Sequence, residues 1–411
     1  MNIWVIAVGE PSSLDEGHRL HRSGLLAKNL SEKGHSVTLF NSTFFHQKKI
    51  NRFSNTTIMD LNGLKMIFLY GNTYKRNISI NRLISNYLNK INLRKVIKTL
   101  DRPDLIIVSF PILGLVTEIR KFSSKFKIPY IVDVRDFWPE VFYSLIPKKL
   151  LIVAKLLFVP FESSLRKNLN EAQAIISPFK SGINWSKSRL TSDQCNTKFF
   201  SSIPFTYPEP SNNDDITEPI GFENDIKGKI VIVAVGNISL IANLDLLVSI
   251  AKKLQNKDFH FLVCGDGDYL PQLKRRAKGL ENINFLGWLN QTQLKYVLGK
   301  SHLGFLGYKN EALKQGVPNK FSEYLSFSLP ILTCQEGNVE NLVKDNNLGI
   351  FFDENNLDKL CIDLEDLLNT RSTLEDMTIN SRFLYEKEFS ENSVYSRFDD
   401  LIEKVSKKNK K

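Results

Sequence analysis

Short apolar runs alternate with segments of helical periodicity along the chain. Residues 2–8 (NIWVIAV), 36–40, 64–70, 104–110 and 129–134 read as strands, and helical spacing fills 18–33, 80–99 and 112–126 between them. That alternation predicts parallel sheets covered by helices on both faces. The rhythm restarts at 229–235 (KIVIVAV) and continues through 259–264, 283–286, 302–306 and 330–333. Between the two series lies 201–228, rich in Pro, Asn and acidic residues, and the stretch 372–406 reads as helices before a basic KKNKK end. The chain shows no internal repeat.

A length of 411 residues exceeds one compact core. The expected fold class is α/β, with two doubly wound, Rossmann-like domains. Residues 1–205 form the first, 206–228 a linker and 229–385 the second. Residues 386–411 form a C-terminal helix and basic tail that pack back toward the first domain. Doubly wound sheets bind ligands outside the carboxyl ends of their strands, so a cleft between the domains is where chemistry is expected.

Composition adds limits. With 42% hydrophobic and 24% charged residues, the chain is ordinary for a globular protein. No stretch reaches the roughly 18–20 apolar residues that span a bilayer, and no signal core opens the chain. Cys195, Cys264, Cys334 and Cys361 are scattered without metal-ligand spacing, which fits a reducing, cytoplasmic setting. Charge changes the picture more. Residues 1–200 carry 30 Lys+Arg against 14 Asp+Glu, and residues 201–411 carry 25 against 30. The first domain either meets an anionic partner or is simply well solvated. Nucleic acid is not expected as that partner, because interleaved aromatics and any known module are missing.

Three loops follow strands of the second series: Gly236-Asn237, Gly265-Asp266-Gly267 and Gly287-Trp288. Glycine at a strand end lets backbone approach a phosphate or base, although a GDG is also a common turn. Trp288 either covers a nucleobase or belongs to the core. The segment Gln315-Gly316-Val317-Pro318-Asn319-Lys320-Phe321-Ser322-Glu323-Tyr324-Leu325 opens a helix at Pro318-Asn319, which aims backbone N–H groups outward and suits a diphosphate. Lys320 and Glu323 share a face there. They form either a donor site, with Glu323 accepting from a ribose, or an exposed ion pair.

In the first series, a polar loop through Gly17, His18 and Arg19 enters a helix, and Arg19 and Arg22 suit either phosphate or solvent. Strand 129–134 runs into Asp133-Val134-Arg135-Asp136-Phe137-Trp138-Pro139-Glu140. A carboxylate there, Asp136 before Glu140, can orient or deprotonate a hydroxyl, with Arg135 beside it. Asp133 reads as structural. The apolar segment 147–161, flanked by base, is either an interfacial helix or a buried one.

The order strand–GN, strand–GDGD, NINFLGWL, then GVPNKFSEYLSFSLPIL resembles the nucleotide-sugar half of GT-B retaining glycosyltransferases, in the large family 4-like group that includes capsule and O-antigen enzymes. The strings GEP…DEG…R…GLLAxxL and DxRDxWPE resemble the same group, so the likeness covers most of the chain. It implies a glycosyltransferase (a hexosyltransferase type) that uses a nucleotide-sugar, UDP-linked by family habit, with retention of configuration and no metal or other cofactor. The implied acceptor is a glycan or lipid-diphosphate-linked glycan of surface polysaccharide synthesis, held at the anionic inner face of the cell membrane by a cytoplasmic, peripherally attached protein.

By the same likeness, Gly17, Arg19, Gly236, Asn237, Gly265, Asp266, Gly267, Trp288, Gln315, Asn319, Lys320 and Glu323 contact the donor. His18, Arg135 and Asp136 contact the acceptor, and Asp136, Glu140 and Lys320 are the expected catalytic groups. The chain departs from the pattern at Gln315, where relatives usually carry Glu, and after the first strand of the second series, where a basic pair is missing. Two rivals remain at this stage: a nucleotide-sugar 2-epimerase on the same fold, and a two-lobed binding protein without catalysis.

Overall fold

The computed structural model describes residues 1–15, 19–45, 48–61, 63–75, 79–143, 146–209, 221–308 and 316–409. Two compact units emerge: unit 1 comprises residues 1–204 with the chain from Tyr395 onward, and unit 2 comprises Phe205–Val394.

Unit 1 contains strands β1 (Asn2–Ile6), β2 (Ser36–Ser42), β3 (Phe44–Phe45), β4 (Ile50–Asn51), β5 (Thr57–Leu61), β6 (Leu64–Leu69), β7 (Leu105–Phe110), β8 (Tyr130–Val134), β9 (Ala174–Ser177) and β10 (Phe199–Ser202). Eight of them form one sheet in the order β10-β9-β8-β7-β1-β2-β6-β5, while β3 and β4 pair separately as an antiparallel excursion. Every pairing in the large sheet is parallel except that of β5 on β6. Helices α1 (Arg22–Glu32), α2 (Ile80–Val96), α3 (Leu113–Phe126), α4 (Glu140–Tyr143), α5 (Leu151–Leu157) and α6 (Val159–Glu171) accompany it. The central strands are buried on both faces, and Trp4 on β1 sits between Phe40 and Phe122, each ring centroid 5.4 Å away. Truncating such a fully packed aromatic costs about 3–5 kcal/mol.

Unit 2 holds β11 (Ile230–Val235), β12 (Phe259–Cys264), β13 (Ile283–Gly287), β14 (Leu303–Leu306), β15 (Ile331–Thr333) and β16 (Gly349–Phe351). They form an all-parallel sheet, β13-β12-β11-β14-β15-β16. The strands that periodicity does not reveal are short or half-buried, such as β10 (FFSS) and β16 (GIF).

The boundaries differ from those expected at 205 and 386. The described residues of the 206–228 linker belong with unit 2, and so do residues 386–394. The reason is local packing. The Tyr385 hydroxyl donates to the Tyr207 carbonyl at 2.7 Å, and Phe389 packs on Phe321 with centroids 5.6 Å apart. Within the last helix, Glu391–Asn409, the chain passes into unit 1, where Lys33 reaches Asp399 at 2.5 Å and Arg22 lies over the Phe398 ring. Among the described residues no helix is long and apolar enough to cross a membrane.

Candidate active site

In unit 1 the carboxyl ends of β1, β2, β7 and β8, together with one side of α2, enclose a cavity of about 210 Å³. Gly9, Ser42, Ser109, Arg135 and Asp136 come from the strand ends, and Arg82, Ser85, Asn86 and Asn89 from the helix. Tyr74 and Phe44 close another wall, ring on ring at 4.3 Å. Gly71 is required beneath it: a Cβ there would lie 2.6 Å from Ser85 Oγ, 2.8 Å from Asn89 Nδ2 and 3.2 Å from Ser42 Oγ, where three polar side chains converge.

A buried charge network supports this cavity. Arg22 donates from Nε to Asp133 at 2.9 Å and from Nη1 to the carbonyls of Ile203 and Pro204, both at 2.8 Å. Arg135 donates to Asp133 at 2.8 Å and to Ser23 Oγ at 2.6 Å, and it pairs with Glu10. Glu10 also accepts from the backbone N–H groups of Ser23 and Gly24 in the first turn of α1. Burial alone would raise the Glu10 and Asp133 carboxyls, but the neighbouring guanidiniums outweigh it and hold both below the usual range. Arg22 is thus committed to structure rather than to phosphate, and the start of α1 is satisfied by Glu10. Asp133 has the structural role expected of it.

Asp136 is the carboxylate that faces the cavity. It is open to the cavity mouth, yet crowding by protein raises its carboxyl above the ordinary value, opposed by Arg82 and Arg135. Glu140 stands elsewhere. It begins α4 and pairs with Arg189, which also holds Glu162 at 2.9 Å, so its carboxylate anchors α4 instead of lining the cavity. Arg19 is half-buried just before α1, while Gly17 and His18 lie outside the described residues, as does Gln315.

In unit 2 the loops after β11, β12 and β13 are zipped together by backbone bonds. Gly236 N–H donates to Cys264 O at 2.9 Å, Gly265 N–H to Gly287 O at 2.7 Å, and Ile238 N–H to Asp266 O at 2.9 Å. A Cβ on Gly265 would lie 1.8 Å from Gly236 O, and one on Gly267 2.3 Å from Ile238 O. These two glycines also have φ of 142° and 159°. Loop-on-loop packing accounts for them without any ligand. Trp288 is 60% exposed at the end of β13, which removes the core alternative.

The helix Asn319–Ser326 follows Pro318 at its cap, with Asn319 as its first residue. Lys320 Nζ meets Glu323 at 2.5 Å, with side-chain exposures of 17% and 0%, so this is a buried pair and not an exposed one. The Lys320 stem passes Gly236, whose Cβ would come within 3.5 Å of Cε. That places the pair at the end of β11. The Tyr324 hydroxyl accepts from Val235 N–H at 3.0 Å, and its ring fills the space a side chain at Gly304 would need. Tyr324 therefore pins the helix to the sheet. A small cavity lined by Gly236, Asn237, Ile238, Phe305 and Tyr308 opens beside it.

The segment 147–161 is not a buried helix. Ala154 is the buried residue of α5, while Leu150, Ile152, Val153, Leu156, Leu157 and Val159 are each more than half exposed.

Residues 217–383 match the family described as Glycosyl transferases group 1. An uncharacterized glycosyltransferase of Haemophilus influenzae is 26% identical over 162 residues, a match that covers 38% of this chain and 44% of that protein. The chain thus spans under half the length of the curated relative it matches. Sucrose-phosphate synthase from Thermosynechococcus elongatus superposes with a TM-score of 0.70 at 13% identity, covering 98% of each chain. HepE of Anabaena, in complex with UDP, gives a TM-score of 0.65 at 13% identity over 98% of this chain and 99% of that one. Its complex with UDP-glucose gives 0.63 at 13%, over 99% and 100%. The chain therefore carries a glycosyl transferases group 1 domain in unit 2, on the GT-B fold of two Rossmann-like domains.

Proposed function

We propose that this protein is a glycosyltransferase that moves a sugar from a UDP-linked donor to a glycan or lipid-diphosphate-linked glycan of surface polysaccharide synthesis, with retention of configuration. The observation that carries the reading is the buried Lys320–Glu323 pair on the helix Asn319–Ser326, inside the group 1 domain. HepE, which shares the fold, binds UDP and UDP-glucose.

In this reading Glu323 accepts from the donor ribose, and Trp288 stands over the base. Lys320 and the N–H groups of the Asn319–Ser326 helix face the diphosphate, whose charge grows as the sugar leaves. No metal enters the scheme. The acceptor lies in the unit 1 cavity, where Asp136 orients its hydroxyl. The new bond forms from that hydroxyl oxygen to the anomeric carbon, on the face from which the bond to phosphate oxygen breaks. The departing phosphate oxygen takes the hydroxyl proton, so no protein nucleophile is needed. An epimerase would have no use for an acceptor cavity.

The exposed apolar side chains of α5, in a unit with excess Lys and Arg, support docking on the anionic inner leaflet. Membrane docking would keep a lipid-linked acceptor close to the cavity.

A panel of nucleotide-sugars tested by thermal shift identifies the donor, since a ligand at 100 times its Kd adds about 2.7 kcal/mol to stability. UDP release that rises only when a glycan acceptor is added supports transfer. Release at the same rate without acceptor, or no stabilisation by any nucleotide-sugar, rejects it.

A further inference from the structure

In the unit 1 cavity an unmet hydrogen-bond acceptor stands beside unmet donors. Asn89 lines the cavity and is 2% exposed. Its Nδ2 donates to the Ser85 carbonyl at 2.9 Å, which fixes the way round the amide sits, because a flip would set oxygen against oxygen. Oδ1 is then left buried with no hydrogen-bond partner. A ligand group that meets it has to donate.

The donors stand at the start of α3, where Pro111, Ile112 and Leu115 line the same cavity. The cap residue, Ile112, supplies no side-chain acceptor, and the first turn holds no acid. Among the described residues, the N–H groups of Ile112, Leu113 and Gly114 meet no acceptor. Such N–H groups point out of a helix end and are satisfied by an oxygen. The two helices touch here: a Cβ on Gly114 would lie 3.2 Å from Lys90 Cδ and 3.5 Å from Lys90 Cβ, and Lys90 follows Asn89 on α2. The adjoining wall is apolar, since Phe110 and Leu115 line it with exposures of 0% and 1%.

These parts are the complement of a secondary amide that ends in a methyl group. Its N–H donates to Asn89 Oδ1, its carbonyl oxygen accepts from the start of α3, and its methyl rests on Phe110 and Leu115. Other groups match less of the site. An ammonium donates but accepts nothing, and a carboxylate cannot donate to Asn89. A hydroxyl does both, but it leaves the apolar wall against water. Asp136 follows β8, the strand next to the one that leads into α3. Neighbouring strands lie about 4.8 Å apart, so the amide and the hydroxyl that Asp136 orients fall within the span of one sugar ring.

We propose that the acceptor residue bound in this cavity is an N-acetylated amino sugar, its acetamido group held between Asn89 Oδ1 and the N-terminus of α3. This rests on the placement of the acceptor in unit 1 and adds the group that selects it.

Saturation-transfer NMR on the full-length protein tests the site with methyl glycosides of the gluco and galacto series, each carrying an acetamido group, a free amine or a hydroxyl at C2. In at least one series the acetamido compound should bind about tenfold tighter than the hydroxyl compound, in the range set by one unmet buried polar group. The strongest saturation should fall on its acetyl methyl, and the amine should bind no better than the hydroxyl compound. Asn89→Leu should bind the acetamido and hydroxyl compounds equally. The comparison among compounds on the wild-type protein decides the proposal even where Asn89→Leu does not fold.

Hydroxyl compounds that bind as tightly as the acetamides in both series, amines that do so, or acetamides that show no saturation overturn the proposal. A preference that survives in Asn89→Leu overturns it too. UDP release read on the same protein keeps this apart from the transferase reading. Release stimulated by glycans that lack N-acyl groups, but not by those that carry them, leaves transfer standing and this proposal overturned. Acetamide binding that Asn89→Leu abolishes, without any stimulated release, does the reverse.

Discussion

Replacing both members of the Lys320–Glu323 pair separates its structural role from its binding role. Glu323 is 0% exposed, so Lys320→Met strands a carboxylate without its cation. Breaking a buried pair in that way costs about 3–5 kcal/mol. Glu323→Gln is milder, because the Lys320 side chain keeps 17% exposure and can turn toward water. The lost charged hydrogen bond then costs about 1–2 kcal/mol, below the 1.5–3 of a fully enclosed one. The double variant carries no charge at the site and should return to within about 1 kcal/mol of wild type.

Affinity for UDP should behave differently. If Glu323 accepts from the ribose, its loss removes about 1–3 kcal/mol, or roughly 5- to 150-fold in Kd, in the single and the double variant alike. Calorimetric titration with UDP and denaturant unfolding of all four proteins read the two quantities independently. A double variant that regains stability and binds UDP within twofold of wild type would refute the donor role and leave the pair purely structural.

The Asp136 carboxyl has a raised pKa in the folded protein, so its stabilising share is complete below its unfolded value of about 3.9 and is lost as pH rises through the folded value. Asp136→Asn should accordingly be as stable as wild type or more so near pH 7, lose that advantage in acid, and still show at least a tenfold drop in transfer; full transfer rates would remove Asp136 from the mechanism. Ile152→Glu/Leu156→Glu alters side chains that are already exposed, so it should abolish co-sedimentation with anionic vesicles while shifting Tm by no more than about 2 °C, the effect of ordinary surface changes. Vesicle binding equal to wild type would mean that α5 does not meet lipid.

Much of the architecture was legible because it follows from local physics. A strand buried on both faces must be a short apolar run, and a helix beside it must show its own period, so β1, β2, β6, β7 and β8 could be placed from sequence, as could β11 to β15. Strand ends then locate the loops, and a Pro-Asn helix opening locates Lys320 and Glu323. Strands with only four half-buried residues, such as β10, carry too little pattern to stand out. The polar side of α2 left a trace that was readable in principle: Arg82, Ser85, Asn86 and Asn89 recur at helical spacing opposite Ile80, Leu83, Ile84 and Tyr87. It reads as an ordinary amphipathic helix until the apolar side is found exposed.

The sequence by itself determined the two α/β units and the helix that presents Lys320 and Glu323, because periodicity and helix-opening residues act over a few positions. Only the tertiary structure decided what each charged residue and glycine is for. Arg22 and Asp133 lie 111 positions apart and meet in the interior, which turns a phosphate candidate into a structural cation. Glu140 finds Arg189, and Gly265 finds the Gly236 carbonyl, in contacts that no spacing along the chain encodes. Charge pairing and burial depend on distance through space, and that distance exists only once the sheet has formed.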